Sequence, residues 1–235
     1  MRKIGILGGL GPEATIDYYK EIINGFNRIN DDGSLNYPEI IIYSVNMSVL
    51  INFFENQNYS KAVDYLSNCV NRIKDAGADF AALSANTPHL IFDQIQDNVD
   101  LPLISIIEAC AGRAKKSNAK KCGLLGTKFT MQNDFYHKVF HKCDIEIVVP
   151  DNEQIDRINS IIFNELELGI FKEESKQEIL GIVNDLIQKH GIDSIILGCT
   201  EFPLLFKESE YFGISFFNTT KIHVETIINE SLNDH

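Results

Sequence analysis

The chain has no apolar run approaching the roughly 20 residues that a membrane-spanning helix needs. Its opening, Met1-Arg2-Lys3-Ile4-Gly5-Ile6-Leu7, is basic and then apolar, but too short for a secretory leader. It is expected instead to form a first buried strand. Cationic excess is also missing: 33 acidic residues against 21 basic ones give a net charge of −12. Such a surface repels nucleic acid and anionic membranes, so neither is expected as a partner. It offers no long-range attraction to an anionic substrate either, so any anion site must be local. Paired cysteine spacing is absent as well. The five cysteines, Cys69, Cys110, Cys122, Cys143 and Cys199, are odd in number and contain no C-x-x-C. A disulfide framework or zinc site is therefore not expected, and a reducing, cytoplasmic location is.

What is present is ordinary for a globular chain: 235 residues, 44% hydrophobic and 23% charged. That length suits one large or two small domains. Short apolar runs alternate with helix-period segments. The predicted strands are Lys3–Leu7, Glu39–Val45, Phe80–Leu83, Leu103–Ile106, Cys122–Leu125, Glu146–Val149, Ser194–Leu197 and Ile214–Phe217. The predicted helices are Glu13–Ile29, Ser60–Asp75, Pro88–Asp97, Ile107–Lys116, Met131–His141, Lys176–His190 and Lys221–Leu232. Near-continuous Ile, Val, Leu and Phe in the strands predicts burial on both faces. Strand–helix alternation predicts a parallel α/β protein.

The chain also resembles itself, half against half. Lys3-Ile4-Gly5-Ile6-Leu7-Gly8-Gly9 matches Lys121-Cys122-Gly123-Leu124-Leu125-Gly126-Thr127. The stretch from Gly77 to Phe92 overlies Gly191 to Phe206 without a gap, placing Asp79 over Asp193 and Ala85 over Cys199. Two similar α/β halves facing across a cleft are expected, with ligands beyond the carboxyl ends of the strands.

Four loops follow those ends. Gly8-Gly9-Leu10-Gly11-Pro12 opens the first helix, Ser84-Ala85-Asn86-Thr87-Pro88-His89 follows Leu83, Gly126-Thr127-Lys128 follows Leu125, and Gly198-Cys199-Thr200-Glu201 follows Leu197. Each gives small or hydroxyl residues at a helix start, where free N–H groups suit a carboxylate. Capping alone explains any one such loop; four aimed at one cleft favour binding. Gly9-x-Gly11-x-x-Ala14 also matches a dinucleotide fingerprint. The second strand, however, runs Tyr43-Ser44-Val45-Asn46 where a ribose-binding acid is required, which argues against a nicotinamide cofactor. Cys199 stands apart from the other cysteines. Placed after a buried strand at a helix start, it is expected to favour the thiolate and act as a base. The other four read as small buried hydrophobes.

On Gly8-Gly9-Leu10-Gly11-Pro12-Glu13-Ala14-Thr15, Asn86-Thr87-Pro88-His89 and Gly198-Cys199-Thr200-Glu201, the chain resembles the aspartate/glutamate racemase family over nearly its whole length. The resemblance implies two pseudo-symmetric domains, each a parallel sheet flanked by helices, with the active site in the cleft between them. The first domain is expected over 1–102 plus 206–235 and the second over 103–205. It also implies a homodimer, no pyridoxal phosphate, metal or nucleotide, and racemisation of aspartate or glutamate by two opposed cysteines. Cys199 matches one; the other position is Ala85, whose methyl group cannot exchange a proton. Thr87, His89 and Glu201 are the candidate substitutes, with Thr127 or a bound water also considered. Ser84 is expected to turn away. Gly9, Asn46, Asn86, Thr87, Thr127 and Thr200 are the candidate substrate contacts, and Lys128 or Lys172 the candidate partners for a side-chain carboxylate. The missing thiol leaves open a single-cysteine decarboxylase or isomerase of the same fold, or a non-catalytic binder.

Overall fold

The computed structural model describes residues 1–30 and 33–233, and divides into two compact units, Met1–Ile106 with His223–His235, and Ile107–Ile222. In chain order the first unit contains β1 (Ile4–Gly8), α1 (Pro12–Ile29), β2 (Ile40–Ser44), α2 (Met47–Glu55), α3 (Tyr59–Asp75) and β3 (Phe80–Leu83). A 3-10 turn (Thr87–Ile91), α4 (Phe92–Asp97) and β4 (Leu103–Ile104) complete this stretch. Next come α5 (Ile106–Lys116), β5 (Lys121–Leu125), α6 (Lys128–Gln132), α7 (Phe135–His141), β6 (Glu146–Val148), α8 (Asn152–Asn164) and a 3-10 turn (Leu166–Leu168). The chain continues through α9 (Glu173–His190), β7 (Ser194–Leu197), α10 (Phe202–Leu205), β8 (Glu210–Tyr211), β9 (Ile214–Asn218) and α11 (Thr219–Leu232).

The first sheet runs β2-β1-β3-β4 with every pair parallel. The second runs β6-β5-β7-β9-β8, parallel except for the short β8–β9 pair. Alternation along the strands sends side chains to both faces. In the first unit Leu7, Ala81 and Leu83 pack under α3 with Leu66, Val70 and Ile73. Ile4, Ile6, Phe80 and Ala82 pack on the other face against Tyr18, Ile22 and Phe26 of α1 and Val224 and Ile227 of α11. Edge strand β2 departs from the expected two-sided burial, with Ile42 and Ser44 exposed.

The internal repeat has physical causes. Asp79 and Asp193 do the same work: each carboxylate accepts N–H groups at the start of the neighbouring central strand, Lys3 at 2.6 Å in one unit, Lys120 at 2.7 Å and Lys121 at 3.2 Å in the other. Gly77 and Gly191 both adopt positive φ (97° and 64°) after the preceding helix, a conformation glycine alone takes without strain. Gly5 and Gly123 leave room in each central strand for a neighbour's methyl group, Ile73 in one and Ile195 in the other.

The expected domain boundaries shift. Residues 103–106 stay with the first unit because β4 pairs with β3, and 206–222 belong to the second because β9 pairs with β7. Only the segment from His223 returns. The predicted helix Met131–His141 is split in two at Asn133, and Pro88–Asp97 begins as a 3-10 turn. The sequence patterns missed α2, α8, α10 and β8. No helix among the described residues is long and apolar enough to cross a membrane.

The returning helix is fastened by a buried polar chain. The Tyr18 hydroxyl donates to His223 Nδ1 (2.8 Å), and His223 Nε2–H donates to the Ile104 carbonyl (2.9 Å). Burial holds the ring neutral and lowers its pKa from 6.5 to about 4. Because the folded pKa lies below the unfolded one, the stabilisation is full above pH 6.5 and is lost as pH falls toward 4. Stability should therefore drop on acidification, with His223 contributing about 3 kcal/mol of the loss by pH 4. Urea unfolding of wild type and His223→Asn at pH 7, 5.5 and 4 checks this: the variant should be weaker at pH 7 and show the flatter pH dependence.

Candidate active site

In each unit the candidate residues stand just past the carboxyl ends of parallel strands. In the first, Gly8 aligns with Ser44 and Leu7 with Leu83, which brings Gly9, Asn46 and the Ser84–Asn86 loop to one end of the sheet. Several of their polar groups are already committed. Gly9 takes positive φ (74°), and its N–H donates to Thr15 Oγ1 at 2.9 Å. Ser84 is buried, its hydroxyl 3.3 Å from both Thr15 Oγ1 and the Leu7 carbonyl oxygen, so it turns into the structure. The Asn46 side chain caps α2, accepting from Ser48 N–H at 3.1 Å and from its hydroxyl at 2.8 Å. Asn86 is buried and Thr87 half-buried at the start of the 3-10 turn.

His89 cannot be the missing acid–base group. Its Nδ1–H donates to the Ala85 carbonyl (3.0 Å), its Nε2 accepts from Ile106 N–H (3.2 Å), and its ring stacks on Phe92 at 4.9 Å. Burial, assisted by nearby His223, depresses its pKa to about 3. With both nitrogens committed and the ring neutral, it is a structural histidine.

In the second unit Leu125 aligns with Leu197, so Thr127 and the Gly198–Glu201 loop share one sheet end. Gly198 is required by close approach: a Cβ there would lie 2.9 Å from the Leu125 carbonyl oxygen. Thr127 caps α6, accepting from Thr130 N–H at 3.2 Å. Lys128 pairs with Asp156 (2.6 Å) and Lys172 with Glu165 (3.2 Å), so neither stands as a ready cation for a substrate carboxylate.

Cys199 is buried, and its thiol donates to Glu201 Oε2 at 2.9 Å. The Thr200 hydroxyl lies 2.9 Å from both oxygens of the same carboxylate. Glu167 completes the cluster: one ligand atom each from Glu167, Cys199 and Glu201 fall within 4.8 Å of one another. No sequence pattern marked Glu167, an exposed acid in a Glu-Leu-Glu-Leu turn; only the fold brings it to the thiol. Although the residue as a whole is exposed, its carboxyl end is half-buried beside the thiol, and that burial, then Glu201, raises its pKa to about 7.

The expected thiolate is not the resting state. Burial raises the Cys199 pKa well above its ordinary value, and the charge of Glu201 and then its hydrogen bond add to this, outweighing the Glu201 backbone N–H that favours the thiolate. The helix that follows is only four residues long, too short for a strong dipole. Cys199 thus rests as a thiol with a carboxylate base attached, able to give a proton and, by passing it to Glu201, to take one. A metal held by these three donors would need the thiolate, which the same carboxylates oppose. Alkylation with iodoacetamide at pH 8, read by peptide mass spectrometry, should label the partly exposed Cys143 before Cys199. Glu201→Gln, by removing the like charge, should speed Cys199 labelling severalfold. Faster labelling of wild-type Cys199 than of a free thiol would contradict the protonated resting state.

The sequence profile of the Asp/Glu/hydantoin racemases matches residues 7–227. The broad specificity amino-acid racemase RacX of Bacillus subtilis is 29% identical over 200 residues, which cover 84% of this chain and 85% of that protein. The crystal structure of PH1733, an aspartate racemase homologue from Pyrococcus horikoshii, is 38% identical and superposes with a TM-score of 0.86 over 99% of this chain and all of that one. The aspartate racemase of Picrophilus torridus shares the fold at 21% identity, with a TM-score of 0.73 over 98% of this chain and 94% of its own. Matched by that profile over residues 7–227, this chain belongs to the Asp/Glu/hydantoin racemase family.

Proposed function

We propose that the protein is an amino-acid racemase or epimerase that works without pyridoxal phosphate or metal, exchanging the substrate α-proton through Cys199. The observation that carries this is the buried thiol donating to Glu201 at 2.9 Å. The α-proton is very weakly acidic, so its removal needs a base in a water-poor site and donors for the developing enolate. Glu201 receives the thiol proton. The substrate's own α-ammonium, arriving beside the cluster, then favours the thiolate, which takes the α-proton. Thr127, Thr200, Asn86, Thr87, Gly9 and Asn46 are the groups proposed to orient the substrate carboxylate and enolate. RacX, a racemase of broad specificity, and PH1733, an aspartate racemase homologue, support the same activity class.

Ala85 favours a second reading. Its methyl group occupies the position equivalent to Cys199 in the internal repeat. A single-cysteine decarboxylase or isomerase, which protonates one face only, needs nothing more there. The racemase reading needs a second proton donor, for which Thr87 or a bound water is proposed, and turnover is slow. The proposed assembly is a homodimer in the cytoplasm.

Proton NMR in D₂O, following α-proton loss from the L and D forms of a panel of amino acids, tests the proposal. Wild type should exchange with inversion, and Cys199→Ala should lose about 10²–10⁴-fold in rate. Exchange from one enantiomer without inversion would establish the one-sided alternative. Unchanged exchange in Cys199→Ala would remove Cys199 from the mechanism.

A further inference from the structure

The bonds that rule His89 out as an acid–base group give it another task. Its Nδ1 lies 3.0 Å from the Ala85 carbonyl oxygen, and its Nε2 lies 3.2 Å from the Ile106 backbone nitrogen. A carbonyl only accepts and a peptide N–H only donates. The two bonds together therefore require one tautomer, the neutral ring protonated on Nδ1. The ring plane is set as well, stacked on Phe92 at an interplanar angle of 6°. Burying a polar ring is costly, and His89 is only 5% exposed; leucine or phenylalanine would fill the space without needing partners. The two bonds account for a histidine there. The Ala85 carbonyl shares a rigid peptide plane with the Asn86 nitrogen, so gripping it orients the plane from which Asn86 and Thr87 depart. The 3-10 turn that begins at Thr87 has no side-chain cap of its own at that end. Ile106, at the start of α5, gives the ring a fixed main-chain point outside the loop.

Resting on the reading of Asn86 and Thr87 as substrate contacts, we infer that His89 is a positioning residue for the proposed reaction: through the Ala85 carbonyl it sets the peptide that presents those two residues, without touching substrate or moving a proton. The Ile106 bond holds the ring, and the Ala85 bond holds the loop. The two roles are separable by substitution. Asparagine places an amide N–H close to the position of Nδ1, whereas glutamine places its amide oxygen close to the position of Nε2.

The test compares the full chain as wild type, His89→Asn and His89→Gln. Urea unfolding is followed by α-proton exchange kinetics in D₂O with the amino acid that wild type exchanges fastest. Both variants should be less stable than wild type by similar amounts, since each leaves one buried backbone group unpaired. His89→Asn, which keeps the Ala85 bond, should hold kcat/KM within about threefold of wild type, while His89→Gln should lose about tenfold or more. The loss should fall mostly on KM, because groups that hold a carboxylate act on bound substrate as they do on the transition state. Nitrogen-15 NMR of the wild-type ring should show the neutral form protonated on Nδ1, unchanged from pH 8 to pH 5. Equal kcat/KM in the two variants, whether retained or lost, would reduce His89 to packing and overturn the inference while leaving the racemase reading intact. A ring protonated on Nε2, or titrating near the ordinary 6.5, would overturn it as well. Absence of exchange by wild type with every amino acid would sink the racemase reading itself, and this inference with it.

Discussion

Parallel strand register is the constraint on which the chemistry depends. Parallel strands all finish at the same end of their sheet, so whatever follows their last hydrogen-bonded residues is gathered there without any long-range instruction. Leu7 beside Leu83, and Leu125 beside Leu197, set that end in each unit. A shift of one residue in either pairing would turn Cys199 or Asn86 to the opposite face. The aspartates that grip the starts of the neighbouring strands oppose such a slip. Structural bonds far from the thiol thus decide where the thiol points.

Much of this was legible in the sequence. Continuous apolar runs located eight strands, most directly β1, β3 and β7, whose burial on both faces leaves no other composition available. The half-to-half repeat was legible for a physical reason: Gly77 and Gly191, Asp79 and Asp193, and Gly5 and Gly123 each meet a requirement that recurs with the fold. Strand β8, two residues long, and α10, four residues long, carry too few positions to show a period. Helices α2 and α8 are longer, and their sequences gave no helix reading either. Where one unit ends and the other begins is not legible locally, because strand order is a tertiary property; nothing local in Ile214–Asn218 says that it pairs with β7 rather than with the first sheet.

The site was legible in part. Cys199 could be singled out by its place after a buried strand, but its charge state could not. Charge state depends on the carboxylates that fold around the thiol, and Glu167 lies more than thirty positions away in the chain. His89 shows the converse. Its chemistry on paper suits proton transfer, and only the partners of its two nitrogens reveal that the ring is neutral and held. In both cases the residue type stated what was possible, and the neighbours decided what was so.

The return of α11 has a consequence for how the molecule comes into being. The second unit is one continuous stretch, whereas the first needs the residues from His223 onward to cover Ile4, Ile6 and Tyr18. Arg2 is bonded to that last helix, its N–H donating to the Ser231 carbonyl and its guanidinium pairing with Glu230. During synthesis the earlier-made part of the first unit must wait, with the apolar face that α11 shares with α1 only partly covered, while the whole second unit is made. The half that the ribosome begins first is the half that is finished last.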